Sequence, residues 1–128
     1  MSNKFSQRSE NNLRDLHPDL VKVARLALQY SPIDFAITEG RRSVARQRQL
    51  VASGKSQTMN SRHITGHALD VVAYIGKEVS WEWKYYQQIA KAFKQAGAEL
   101  AIPIEWGGQW QTLKDGPHFQ LPHAEYPA

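Results

Sequence analysis

Apolar residues recur at helical spacing at Leu20, Val23, Ala24, Ala27 and Leu28, directly after Pro18. Proline suits a first helical turn and Pro32 cannot continue one, so the pattern predicts a helix over DLVKVARLALQY. IDFAIT (33–38) alternates apolar with small or polar residues, which is the period of a strand. Gly40 turns the chain, Ser43 can cap a second helix running to about Ala52, and Gly54 stops it. GKSQTMNSRH (54–63) is polar and aperiodic and reads as a surface loop. HALDVVAYI (67–75) is β-branched and apolar, as a central strand would be. Gly76 begins a turn and EVS a short strand, and Ser80 is placed to cap a third helix from Trp81 to about Gln95, closed by Gly97. AELAIPIEW (98–106) is expected to be another strand, GGQW a loop, and LKDGPHFQL a turn followed by a last short strand. Helices and strands mix without regular βαβ alternation, so the expectation is one α+β domain over 1–128, with helices packed on a small, mainly antiparallel sheet.

Composition narrows the chemistry. With 41% hydrophobic and 22% charged residues the chain is expected to fold as a globule. No apolar run approaches the roughly 18 residues that read as a membrane span, and the N-terminus lacks the apolar region of a secretory signal. A substrate outside the cytoplasm would then need another delivery route. The absence of cysteine excludes disulfides, thiolate catalysis and sulfur-ligated metals, so a metal site must use His, Asp or Glu. The net charge of +4 favours polyanions in general, but no nucleic-acid-binding motif is present and no such partner is expected.

Asp70 is the most informative residue. It interrupts ALDVVAYI, a stretch that belongs in a core, and shares a strand face with Ala68 and Val72. A buried carboxylate needs a partner, either one of the arginines or a metal cation. His63 ends the polar loop and can converge with Asp70 if the chain bends at Thr65-Gly66, and His67 is a rival expected on the opposite sheet face. Asp115 and His118 stand three apart across a Gly-Pro turn. Their pairing reads as an ordinary turn or as a general base beside a metal ligand. Two histidines and a carboxylate with a fourth position open is a catalytic zinc pattern.

SRHITGHALD (61–70) fills every fixed position of Ser-x-His-x-x-Gly-x-Ala-x-Asp, and the chain thereby resembles the VanY/VanX-type zinc peptidases. DGPHF (115–119) resembles the family's second motif, with Asp where many members carry Glu, as in the phage endolysin branch. FSQRSENNLRDLHPDL and EWGGQW also resemble phage L-alanyl-D-glutamate endopeptidases.

The resemblance implies a D,D-peptidase/hedgehog-like zinc fold, with His63, Asp70 and His118 as zinc ligands, Asp115 as catalytic base and Arg42 steadying the oxyanion. Arg41 is the neighbouring alternative to Arg42. Ser61 is expected to position substrate or brace its loop. Trp106 and Trp110, flanking Gly107-Gly108, are candidates to wall the substrate cleft, whereas Trp81 and Trp83 are expected to pack on the third helix. Glu105 is a weaker candidate base, and His17 and His123 read as structural or exposed. The implied function is hydrolysis of peptidoglycan stem peptides at L-Ala–D-Glu by a monomer without stable membrane insertion, released to the wall by a holin. The alternatives are D-Ala–D-Ala carboxypeptidase or dipeptidase activity and a catalytically silent, zinc-stabilised wall-binding module.

Overall fold

The computed structural model describes residues 4–56, 61–110 and 114–127. Among them are helices α1 (Gln7–Leu13), α2 (Pro18–Tyr30), α3 (Val44–Ala52) and α4 (Trp83–Leu100). The strands are β1 (Asp34–Glu39), β2 (Ala68–Ile75), β3 (Glu78–Ser80), β4 (Glu105–Trp106) and β5 (His118–Gln120). The described strands form one antiparallel sheet in the order β1-β2-β5-β4, with β3 paired to the end of β2. The α+β expectation holds. Residues 57–60 of the expected polar loop, and Leu113 at the start of the last segment, lie outside the described residues.

α2 begins as Pro18 predicts, and the ring of His17 caps it by accepting from the Asp19 amide at 3.1 Å. Its apolar stripe meets Tyr86, Ile89, Phe93 and Ala96 of α4, and both helices cover Phe35, Ile37, Leu69, Val71, Ala73 and Phe119 of the sheet in one core. Since strand residues alternate between faces, burying Leu69 and Val71 under the helices turns Asp70 to the other face. Phe119 does the same for His118 and Gln120.

Two elements differ from expectation. α1 was not predicted, because QRSENNL contains a single apolar residue and so carries no periodic signal. It forms because β1 is the edge strand, whose outward backbone groups need partners. Ser9 Oγ accepts from the Ile37 amide at 3.0 Å, and Asn12 Nδ2 donates to the Ile37 carbonyl at 2.7 Å. The strand expected over 98–106 is a correction: α4 continues to Leu100, Ala101 ends it in a left-handed conformation (φ 58°), and only Glu105–Trp106 is extended. Gly97 does not close the helix. It lies inside α4, where a Cβ would meet the Ile102 carbonyl oxygen at 2.5 Å, so its smallness permits the returning chain to pack there. The start of α4 also shifts, to Trp83, and Ser80 Oγ accepts from the Glu82 amide just before it.

Gly40 joins the fold to the site. A Cβ there would stand 1.9 Å from the Asn12 carbonyl oxygen of α1. Gly40→Ala is therefore expected to push α1 off the sheet edge and cost about 1–3 kcal/mol, the usual range for overpacking. Chemical denaturation reads this directly, and an unchanged midpoint would refute the close approach.

Candidate metal centre

Strand register brings the two motifs together. In the β2–β5 pair Asp70 stands directly opposite His118, and across β1 it faces Glu39 beyond a register shift. Directly opposed side chains in an antiparallel pair are close neighbours. His63 enters from the loop, its amide bonded to Ser61 Oγ at 3.2 Å and its carbonyl accepting from the Arg42 amide at 2.9 Å. Gly66, at φ +80°, gives the bend that the Thr65-Gly66 dipeptide predicted.

His63, Asp70 and His118 each offer one ligand atom, all within 4.8 Å of one another. His63 Nε2 and His118 Nδ1 each lie 3.3 Å from the same oxygen, Asp70 Oδ1. His63 Nδ1 lies 2.8 Å from the Gly40 carbonyl, which can only accept, so the proton sits on Nδ1 and Nε2 is left with its lone pair. Nε2 is buried and has no hydrogen-bond partner among the described residues. A lone pair facing a carboxylate oxygen requires a cation between them, either a proton or a metal. Ligand atoms about 2.0–2.1 Å from a tetrahedral zinc stand roughly 3.3 Å apart, so this donor set fits such an ion.

The electrostatics agree with a cation-seeking site. Burial works to raise the Asp70 carboxyl, but the adjacent imidazoles of His118 and His63, when protonated, outweigh it and hold the group well below the usual carboxylate range. Burial works to lower His118, and the adjacent Asp70 overcomes it and raises the imidazole above its ordinary value. Asp115 is raised, first by burial and then by the charge of Asp70, while His118, His63 and Arg42 pull it down. Asp115 therefore belongs to the same electrostatic neighbourhood without joining the convergent trio. Its placement depends on a tight turn in which its amide donates to the Gly107 carbonyl at 3.0 Å, and its carbonyl accepts from the His118 amide at 3.2 Å.

Of the two arginines, Arg42 is the one directed at the site. Its Nη2 is 4.0 Å from Asp70 Oδ2, while Nε and Nη1 are held by Glu39 (2.6 Å) and the fully buried Gln47 (2.7 Å). Arg41 is exposed and reaches the Ile64 carbonyl instead. His67 precedes β2, bonds Thr65 Oγ1 at 2.7 Å and packs beside His17 and Tyr126, outside the trio. His123 is exposed. Trp106 is buried and donates from Nε1 to the Gly116 carbonyl at 2.7 Å, which steadies the Asp115–His118 turn. Trp110 lies with its ring 5.1 Å from that of His118. Trp83, at the start of α4, packs half-exposed against Trp106, and Trp81, ahead of the helix at 68% exposure, stacks on Tyr86 of α4. Sequence reasoning missed Glu39, Gln47 and Gln120. Gln120 was within reach, since alternation from His118 puts it on the same face; Gln47 sits in a mostly polar helix and gives no local sign.

Fold and site together define a small α+β hydrolase whose sheet presents a metal-capable His-Asp-His cluster. The profile of the family described as phage L-alanyl-D-glutamate peptidase matches residues 1–121, and the chain belongs to that family. It is 42% identical to the L-alanyl-D-glutamate peptidase of Escherichia phage T5 over 90% of this chain and 87% of that protein. The crystal structure of the Serratia marcescens L-Ala D-Glu endopeptidase ChiX superposes with a TM-score of 0.93 at 60% identity, covering 99% of this chain and 96% of that one. A vancomycin-resistance D,D-dipeptidase, VanXYg, shares the fold at a TM-score of 0.52 and 16% identity, over 86% of this chain and 53% of its own.

Proposed function

We propose that this protein is a zinc-dependent endopeptidase that hydrolyses the L-Ala–D-Glu bond of peptidoglycan stem peptides. The observation that carries the metal assignment is the convergence of two imidazole lone pairs on one Asp70 oxygen. The bond specificity is supported by the activity named for the T5 and Serratia relatives. A zinc ion held by His63, Asp70 and His118 would supply Lewis acidity and acidify a water molecule.

The chain's own groups do the rest. Asp115, raised by burial, takes the proton from the attacking water as its oxygen bonds to the scissile carbonyl carbon. Arg42, fixed by Glu39 and Gln47, sets a cation against the negative charge that develops on the carbonyl oxygen. When the C–N bond breaks, Asp115 returns the proton to the leaving amine. Ser61 braces the ligand loop, and Trp110, beside His118, borders the ground on which the stem peptide lies, while the buried Trp106 acts from behind by steadying the Asp115–His118 turn. No helix among the described residues is long and apolar enough to cross a membrane. Action as a monomer on the wall after holin-type release completes the proposal, with no role for nucleic acid.

Digestion of purified muropeptides followed by mass spectrometry tests this reading. New termini at L-Ala and D-Glu are expected, abolished by a chelator and restored by zinc. Release of D-Ala would instead indicate a D,D-peptidase, and zinc retention without any product would indicate a silent module.

Metal affinity should also depend on pH in a defined direction. Ligation needs neutral imidazoles, and His118 keeps its proton to higher pH than an ordinary histidine because of Asp70. Zinc affinity is therefore expected to climb with pH through and beyond about 6.5, the ordinary imidazole value. A plateau already reached below that value would contradict it.

A further inference from the structure

Glu105, Gln120 and His118 share one face of the sheet. Glu105 pairs directly with Gln120 across β4 and β5, and His118 is the next residue on that face of β5. Their side chains are linked. Trp110 Nε1 donates to Glu105 Oε2 at 3.0 Å, Gln120 Nε2 donates to the same oxygen at 2.9 Å, and Gln120 Oε1 faces His118 Nε2 at 2.8 Å. The direction of this chain is forced. An indole N–H only donates, so Glu105 Oε2 is an acceptor. The Gln120 atom against it must then be the amide nitrogen, which turns the amide oxygen to His118. An amide oxygen only accepts, so His118 Nε2 carries the proton and Nδ1 keeps its lone pair, aimed at Asp70 Oδ1.

We propose that Glu105 and Gln120, with Trp110 anchoring Glu105, are positioning residues that set the tautomer and ring orientation of His118 so that it binds the metal through Nδ1. The proposal rests on the metal-centre reading above. The two imidazoles meet one requirement by different means. His63 gives its Nδ1 proton to a backbone carbonyl, that of Gly40, and needs no side chain. His118 lies on a strand whose backbone groups are used in pairing, so side chains must supply its acceptor.

Zinc affinity, measured by competition with a chromophoric chelator, and the ring ¹⁵N shifts of His118 in the metal-free protein at alkaline pH test the proposal. The wild type is expected to hold His118 as the Nε2–H tautomer alone. Gln120→Leu removes the acceptor of the Nε2 proton and should weaken zinc binding about 10–100-fold, the range typical of lost partners behind a ligating histidine. Glu105→Leu removes the acceptor that orients the Gln120 amide and should weaken binding about 10-fold. Both should give mixed tautomers. In Glu105→Gln the amide oxygen can take the place of Oε2 and accept from both Trp110 and Gln120. That variant should keep the single tautomer and an affinity within about threefold of wild type, well inside the 10–100-fold range. Leucine variants with wild-type affinity and tautomer, or Glu105→Gln no better than Glu105→Leu, would overturn the proposal. Failure of the wild type to bind zinc would instead strike the metal-centre reading, while the tautomer measurement would still judge the relay.

Discussion

Asp115→Asn is expected to keep the fold and the bound zinc while kcat falls by about 10²–10⁴, the contribution of a positioned general base. The substitution preserves shape and the backbone bonds of the turn, in which the Asp115 amide donates to Gly107 and its carbonyl accepts from the His118 amide. It removes only the group that can take a proton. The carboxyl is half-buried, and its partial desolvation and the charge of Asp70 raise its basicity towards that task. Turnover of muropeptides and zinc content of the same sample decide the matter together. Wild-type turnover with full zinc would remove Asp115 from the mechanism, and a loss of zinc would make it a ligand instead.

Asp70→Asn should abolish stoichiometric zinc binding at micromolar protein. The expected loss exceeds the roughly 10–100-fold seen when only an outer partner of a ligand is removed. Both imidazoles aim at Asp70 Oδ1, and its charge is what holds two lone pairs near one cation. An amide at this position brings no charge and offers at best a neutral carbonyl oxygen. His63→Ala should likewise lower metal content while leaving His67 beside His17 and Tyr126. Zinc stoichiometry by elemental analysis after desalting measures both. Full occupancy in Asp70→Asn would mean that the metal, if bound, sits elsewhere.

Much of this site could be read in the linear chain, for a physical reason. A carboxylate inside an apolar strand is too costly to leave unpaired, so Asp70 marks itself. The bend at Gly66 and the short Asp115–His118 spacing are local features that survive without knowledge of the fold. The periodicities that announced α2, β1, α3 and β2 are local as well. Where the local signal was weak or misleading, prediction failed. α1 has a polar composition and exists only because the edge of β1 needs partners from Ser9 and Asn12. The end of α4 was misplaced because Gly97 serves a contact with Ile102, not a turn.

What the amino-acid sequence by itself determined was the set of chemical groups: two histidines, Asp70, Asp115 and an arginine pair, on an α+β chain without sulfur ligands. Only the tertiary structure decided that Arg42 and not Arg41 faces the cluster, and which nitrogen of each ring is free. It alone tied Glu105 to His118 through Gln120. Those outcomes depend on strand register and on the direction of hydrogen bonds between residues far apart in the chain, and no local pattern of residue types encodes either.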